Sequence, residues 1–219
     1  MGPPCKPVNL NPTHYVQLAM SMLPVNLSHA SRLINHGPTV LVSSAHAGRR
    51  NLMSAAWSMP VEFTPPRIAV VIDKSTFTRE LIEASGYLAL CLPCRAQADL
   101  TWTVGSVSGR DEAIETTGGK FAHYGIGYRD GPLLGMPLVE GCIAWLEARV
   151  LPEPHVQQAY DTFFVEVVGA WADERVFQNG RWQLQDVPDD LRPIHHLGSG
   201  VFSVSGPTVS GRMMDASAG

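Results

Sequence analysis

Two groups of residues between Asn51 and Thr78 have types and spacing that could do chemistry together. The first is the run Asn51-Leu52-Met53-Ser54-Ala55-Ala56-Trp57-Ser58, which has the composition of a strand. Side chains alternate along a strand, so Asn51, Met53, Ala55 and Trp57 share one face and Leu52, Ser54, Ala56 and Ser58 the other. Small residues at Ser54, Ala55 and Ala56 let a flat ligand approach the backbone, whose N–H and C=O groups can read the polar edge of a ring. The second group is Lys74-Ser75-Thr76-Phe77-Thr78-Arg79, with three hydroxyls and two cations directly before a helix. A helix N-terminus presents free N–H groups and a positive dipole end, so this junction can hold a phosphate. A planar ring plus a phosphate describes a mononucleotide. The same residues have a plain structural account: Ser and Thr are ordinary N-caps, worth about 1 kcal/mol each, and strand alanines pack. Residue types alone leave both accounts open.

Other residues invite different chemistry. Cys91-Leu92-Pro93-Cys94 is a C-x-x-C, but a redox pair needs its first Cys at a helix N-terminus, and Cys91 ends an apolar strand. With no second pair and no nearby His, the expected reading is a buried Cys and a turn Cys, and no metal site. Among the eight histidines, His195 and His196 are adjacent and cannot share a strand face. His46, His123 and His155 fall in expected loops, so no metal triad is expected. Trp57 and Trp102 read as packing residues, and Asn26-Leu27-Ser28 matches a glycosylation pattern without a secretory signal before it.

The elements that must position these residues follow from composition and pattern. Charged residues make up only 16% of the chain, against about a quarter in an ordinary soluble domain. Apolar runs such as Ile68–Ile72 are too short to cross a bilayer as helices, so a soluble, non-membrane protein is expected. The 20 Gly and 17 Pro lack a collagen period and argue for many turns between short elements. Residues 1–110 hold nine Lys/Arg against five Asp/Glu, and residues 111–219 seven against fifteen. An anionic ligand is favoured by the first half, while no basic stripe supports nucleic-acid binding. The first twelve residues do not form a signal peptide, which gives a cytoplasmic location as the default.

Residues 1–30 read as an irregular arm with a short amphipathic segment over Tyr15–Leu23, and residues 207–219 as a tail. Between them, strands are expected over Thr39–Ser44, Asn51–Met59, Arg67–Asp73, Tyr87–Leu92, Cys142–Leu151, Thr162–Trp171 and Val201–Val204. His46–Arg50 is a turn, and Ile68–Ile72, apolar on both faces, is expected to be central and buried. Helices are expected from Phe77 to a stop at Gly86, over Gln97–Val104, and over Arg110–Thr116, with a small-residue turn at Gly105–Gly109 and a Pro-rich turn after Leu151. The pattern is mainly β with a few short helices, closer to an antiparallel barrel than to alternating βαβ units.

The combination Asn51 to Val61, Pro65-Pro66 and Ser75-Thr76-Phe77-Thr78 resembles the flavin reductase-like, FMN-binding split-barrel family, which includes flavoredoxin-like proteins. The match continues through Ser108-Gly109-Arg110-Asp111, Lys120-Phe121, Pro137 to Glu140, Phe163 to Val167 and Arg192 to Gly198, covering roughly residues 31–206. Asp111 stands several residues before Lys120, where many members carry the acidic residue beside the lysine, so this loop is longer or shifted.

The resemblance implies a homodimer of Greek-key split β-barrels with FMN near the subunit interface, FAD being the lesser alternative. By position, Asn51, Leu52, Met53, Ser54, Ala55 and Ala56 would line the isoalloxazine and ribityl chain, and Ser75, Thr76 and Thr78 the phosphate end. Ser108 and Lys120 are further candidates, and His195 or His196 would approach the cofactor or the partner subunit. The implied activity is hydride transfer from NAD(P)H to flavin N5 and onward to a small-molecule or protein acceptor. A flavoredoxin-like electron carrier, or a β-barrel binding module without flavin, are the alternatives.

Overall fold

The computed structural model describes residues 37–213 together with Leu33. The expected arm, its Tyr15–Leu23 segment, Asn26-Leu27-Ser28 and residues 214–219 of the tail lie outside the described residues.

The chain opens with a hairpin of β1 (Val40–His46) and β2 (Arg49–Ala55). Its turn residues Ala47 and Gly48 both hold positive φ, 47° and 77°, as a tight hairpin turn requires. β3 (Ser58–Phe63), β4 (Pro66–Val71), β5 (Tyr87–Leu92), β8 (Ala144–Leu151) and β9 (Thr162–Ala172) complete a seven-stranded sheet of order β2-β1-β5-β8-β9-β4-β3. All of its pairings are antiparallel.

β2 and β3 are the two edges of this sheet, yet only Ala56 and Trp57 separate them in sequence. Three Cα steps span at most about 11 Å, so opposite edges must meet at one corner. The sheet therefore curls into a barrel that stays split elsewhere, and the expected mainly-β split barrel is the observed fold. Its interior is filled by Val40, Val42, Val70, Ile72, Leu88, Leu90, Phe163 and Val165, with Ile82 from α1 (Phe77–Ser85). A second apolar layer outside the sheet packs Leu41, Leu52, Ala89 and Cys91 against Val104 of α2 (Ala98–Ser106) and Phe121 of α4 (Lys120–His123).

α1 starts where its sequence says it should. Thr76 is the N-cap and accepts from the Arg79 N–H, and Gly86, in the left-handed conformation at φ 76°, closes the helix on the Ile82 carbonyl. Arg79, almost fully buried, fastens the helix to the barrel: it pairs with Asp161 at 2.5 Å and Glu83 at 2.8 Å, and donates to the Ile72 and Gln157 carbonyls.

Several expectations need correction. Asn51–Met59 is two strands, because the chain steps from one sheet edge to the other at Ala56–Trp57. β4 lies one strand from the edge, so Val70 and Ile72 are fully buried while Ile68 and Val71 are only half-covered. The expected Pro-rich turn after Leu151 contains a helix, α5 (Pro154–Tyr160), started by Pro154 in its first turn. His155 therefore lies on a helix, as does His123 on α4, and His46 ends β1. The small-residue turn begins later than expected, because α2 runs on to Ser106 after a 3₁₀ turn at Arg95–Gln97. α3 (Glu112–Thr116) starts two residues later than Arg110. The short pairs β6 (Tyr128–Asp130) with β7 (Pro137–Val139), β10 (Phe177–Gln178) with β11 (Arg181–Trp182), and β12 (Ile194–Gly198) with β13 (Val201–Val204) complete the fold.

Candidate functional site

The edge strand β2, the start of α1, the end of α2 and the start of α4 surround a hollow of about 200 Å³. Eight expected site residues line it: Asn51, Met53, Ser54, Ser75, Thr76, Thr78, Ser108 and Lys120. Two glycines make the close approach possible. A Cβ on Gly105 would run into the Ser54 side chain, and one on Gly109 into the side chains of Asn51 and Phe77. Of the other three expected residues, Leu52 sits in the outer apolar layer, Ala55 faces the barrel interior and Ala56 lines a neighbouring hollow.

Asn51 is 2% exposed, and its Nδ2 donates to Thr78 Oγ1 at 3.0 Å. Its Oδ1 is buried without any partner among the described residues, so the hollow contains an acceptor waiting for a donor. Thr78 Oγ1 accepts from Asn51, which leaves its own proton free to donate.

Lys120 is also 2% exposed, held on a four-residue helix that sequence periodicity cannot detect. Its Nζ donates to the carbonyls of Leu52 at 2.9 Å and Val104 at 2.7 Å, and no carboxylate pairs with it among the described residues. Burial pushes the ammonium down to about 8, with Asp111 working against the shift. Because the Leu52 carbonyl points away from β1 to meet Lys120, strand alternation aims the Ser54 N–H and C=O outward too, free of sheet partners.

The hydroxyl loop is arranged differently from its sequence reading. Ser75 Oγ donates to Asp73 Oδ1 at 2.6 Å and Thr76 Oγ1 to the Asp73 carbonyl at 2.8 Å. The Ser75 hydroxyl first, and then the Ser75 N–H, which donates to the same carboxylate oxygen at 2.7 Å, hold the Asp73 carboxyl below its ordinary range. The donors left over are the Thr78 hydroxyl and the first amides of α1, at Phe77 and Thr78, which have no carbonyl to meet inside the helix. Ser108 shapes the opposite rim: its N–H meets Asp111 at 3.2 Å and its Oγ accepts from the Arg110 N–H at 3.1 Å.

Ser54 and Gly105 also line a second hollow, of about 230 Å³, with Thr39, Ala56, Thr101, Trp102, His196 and Phe202. No charged side chain lines it. Trp102 and His196 are stacked with ring centroids 5.9 Å apart, and Phe202 lies 5.2 Å from His196. His196 Nε2 is buried without a partner among the described residues, and burial lowers the imidazole's pKa. The two histidines diverge as strand alternation requires: His195 Nε2 lies 3.3 Å from Ser205 Oγ and the residue does not line the hollow. Sequence reading missed Thr39, Thr101 and the placement of Trp102, which come from distant segments.

Cys91, Cys94 and Cys142 are free and buried. Burial raises the Cys94 and Cys142 thiols, the opposite of what a reactive C-x-x-C needs. Among the described residues no group of three or more His, Cys, Asp or Glu could hold a metal ion.

The edge strand, a helix N-terminus and a buried lysine thus converge on one hollow of a split barrel. The family model Flavin reductase like domain matches residues 31–194, and the chain belongs to that family. Uncharacterized protein YddH of Escherichia coli (strain K12) is 56% identical over 191 residues, covering 86% of this chain and 97% of that protein. The crystal structure of an FMN-binding domain of a flavin reductases-like enzyme from Shewanella baltica OS155 is 42% identical, with a TM-score of 0.76 over 86% of this chain and 96% of that one. Flavoredoxin of Desulfovibrio vulgaris (Miyazaki F) shares the fold at 23% identity, with a TM-score of 0.67 over 83% of this chain and 92% of that one.

Proposed function

We propose that this protein is an FMN-dependent oxidoreductase that takes electrons from reduced nicotinamide and passes them to a small acceptor. The observation that carries this is a pair of groups on one hollow that go unanswered among the described residues: the buried Asn51 Oδ1 without a donor and the buried Lys120 without a counter-charge. A ring with N–H donors and an anionic tail answers both needs. The residues therefore fit FMN, which is also what the similar Shewanella baltica domain is described as binding.

When bound, FMN supplies the redox chemistry, accepting a hydride and releasing electrons onward. The chain's own residues bind and orient. Thr78 and the first amides of α1 hold the phosphate, and Lys120 supplies positive charge in a site where burial makes it count. Asn51 and the outward Ser54 backbone groups read polar edges, while Gly105 and Gly109 keep the walls bare. The uncharged second hollow, which shares Ser54 and Gly105 with the first, has room for a neutral flat acceptor or the nicotinamide ring. There Trp102 provides a stacking face, and His196 Nε2 supplies a polar contact. That reductant-and-acceptor hollow favours an enzyme over a carrier served only by protein partners.

A homodimer belongs to the same proposal. The edge strand β3 exposes Met59 at 60%, Phe63 at 92% and Val61, with exposed Trp57 just before it, an apolar edge that a monomer would leave open to aggregation. No helix among the described residues is long and apolar enough to cross a membrane.

Titration of FMN into flavin-free protein, followed by flavin fluorescence, tests the site. The wild type is expected to bind FMN, and Asn51→Leu, which closes the hollow with an apolar side chain, to lose most of that affinity. Equal binding by both proteins would place the flavin elsewhere.

A further inference from the structure

A third hollow, of about 380 Å³, shares Phe77 and Gly109 with the first and has no role in the reading above. Its other walls include Arg49, Arg50, Glu115 and the glycines 48, 118 and 119. Those three glycines hold φ of +77°, +92° and +91°, so bare backbone leaves the space beside the cations open.

The charged residues that line this space are Arg49, Arg50 and Glu115, with Arg110 and Glu80 beside them around the Phe77 ring. Arg49 lies over the Phe77 ring at 4.3 Å and reaches Glu80 at 3.6 Å and Glu115 at 3.4 Å. Both separations exceed a close charge-assisted hydrogen bond, and the Arg49 side chain is 53% exposed, so the pairs are weak and an anion can compete for the guanidinium. Arg110 lies over the same ring at 5.7 Å and holds Glu80 at 2.7 Å. Arg50 has no carboxylate partner among the described residues: it donates to the Tyr128 hydroxyl, and its Nε is buried and unpaired.

We propose that the third hollow is a second anion subsite, which takes the adenylate half of a dinucleotide. The inference rests on the flavin reading, because that reading puts a phosphate against Thr78 and the first amides of α1, next to Phe77. A group attached beyond that phosphate leaves the first hollow past Phe77 and Gly109, the two shared walls, and enters a space large enough for it and lined with arginine. The adenylate has two possible sources: FAD, where it continues from the flavin's own phosphate, or the nicotinamide dinucleotide that reduces the flavin.

The test compares wild type, Arg49→Gln and Glu115→Gln in two assays: fluorescence titration with FMN and with FAD, and the KM for NADH and NADPH of FMN-loaded protein. Arg49→Gln is expected to weaken either FAD binding or nicotinamide dinucleotide KM about fivefold, while leaving FMN affinity within about twofold. Glu115→Gln is expected to strengthen the same ligand. A change confined to FAD assigns the adenylate to the flavin, and one confined to KM assigns it to the reductant. If wild type binds FMN but neither variant separates a dinucleotide from FMN, the subsite is overturned and the flavin reading stands. If wild type binds no flavin, both fall.

Discussion

The Lys120 ammonium joins the carbonyl of Leu52, on the edge strand β2, to that of Val104, on α2, at 2.9 and 2.7 Å. One buried cation thus fastens two walls of the proposed flavin hollow while keeping a charge and a third N–H for a ligand.

That relationship makes flavin binding depend on pH. Lys120 loses its proton near pH 8 in the flavin-free protein, and a bound anion raises that value. Above about pH 7, where the phosphate's own titration near 6 is complete, FMN affinity falls as pH rises through 8 toward 9, because binding must then take up a proton. Riboflavin affinity, measured in the same titrations, falls less. The unfolded chain keeps its Lys120 proton up to about 10.5, so this group's contribution to the stability of the flavin-free fold rises between 8 and 10.5.

The hydroxyl loop divides into a donor and a cap. Thr78→Ala is expected to lower FMN affinity about tenfold and riboflavin affinity much less, since it removes a buried donor at the phosphate end. Thr76→Ala instead removes a helix cap, lowering thermal stability by about 1 kcal/mol with little further effect on FMN. The double variant should show both effects, and equal losses for the two ligands would show that Thr78 does not meet the phosphate.

Gly105 lines both of the first two hollows, packed against Ser54. Gly105→Ala would drive a methyl group into the Ser54 side chain and is expected to lower FMN affinity about tenfold or more, while Gly206→Ala, in open space, leaves it unchanged. Titration of both variants with FMN separates local crowding from a general glycine effect.

The exposed end of β3 reports on assembly. Phe63→Lys is expected to convert a dimer into a monomer in sedimentation velocity, because it places a charge where a partner edge would pack. A wild-type protein that sediments as a monomer would remove the dimer from the proposal.

Local chemistry in this sequence was legible, and long-range geometry was not. Thr76 and Gly86 mark both ends of α1 because caps act within one turn, and Asn51 through Ser54 declare a strand by alternation. The break between β2 and β3 carries no signal, since Ala56 and Trp57 continue the strand composition while the chain changes sheet edge. Ser75 and Thr76 look like free donors until Asp73 is seen to accept hydrogen bonds from both hydroxyls. The second hollow draws on Thr39, Thr101, Trp102 and Phe202, residues that no local pattern links.

The central claim is tested most directly by the absorption spectrum of purified, FMN-reconstituted protein, recorded anaerobically before and after NADH or NADPH. The expected result is a bound yellow flavin that bleaches with either nicotinamide and recovers when an acceptor is added. Protein that stays colourless after FMN is added and unbound ligand removed would contradict a flavin site altogether, and a bound flavin that neither nicotinamide bleaches would leave a carrier in place of the enzyme.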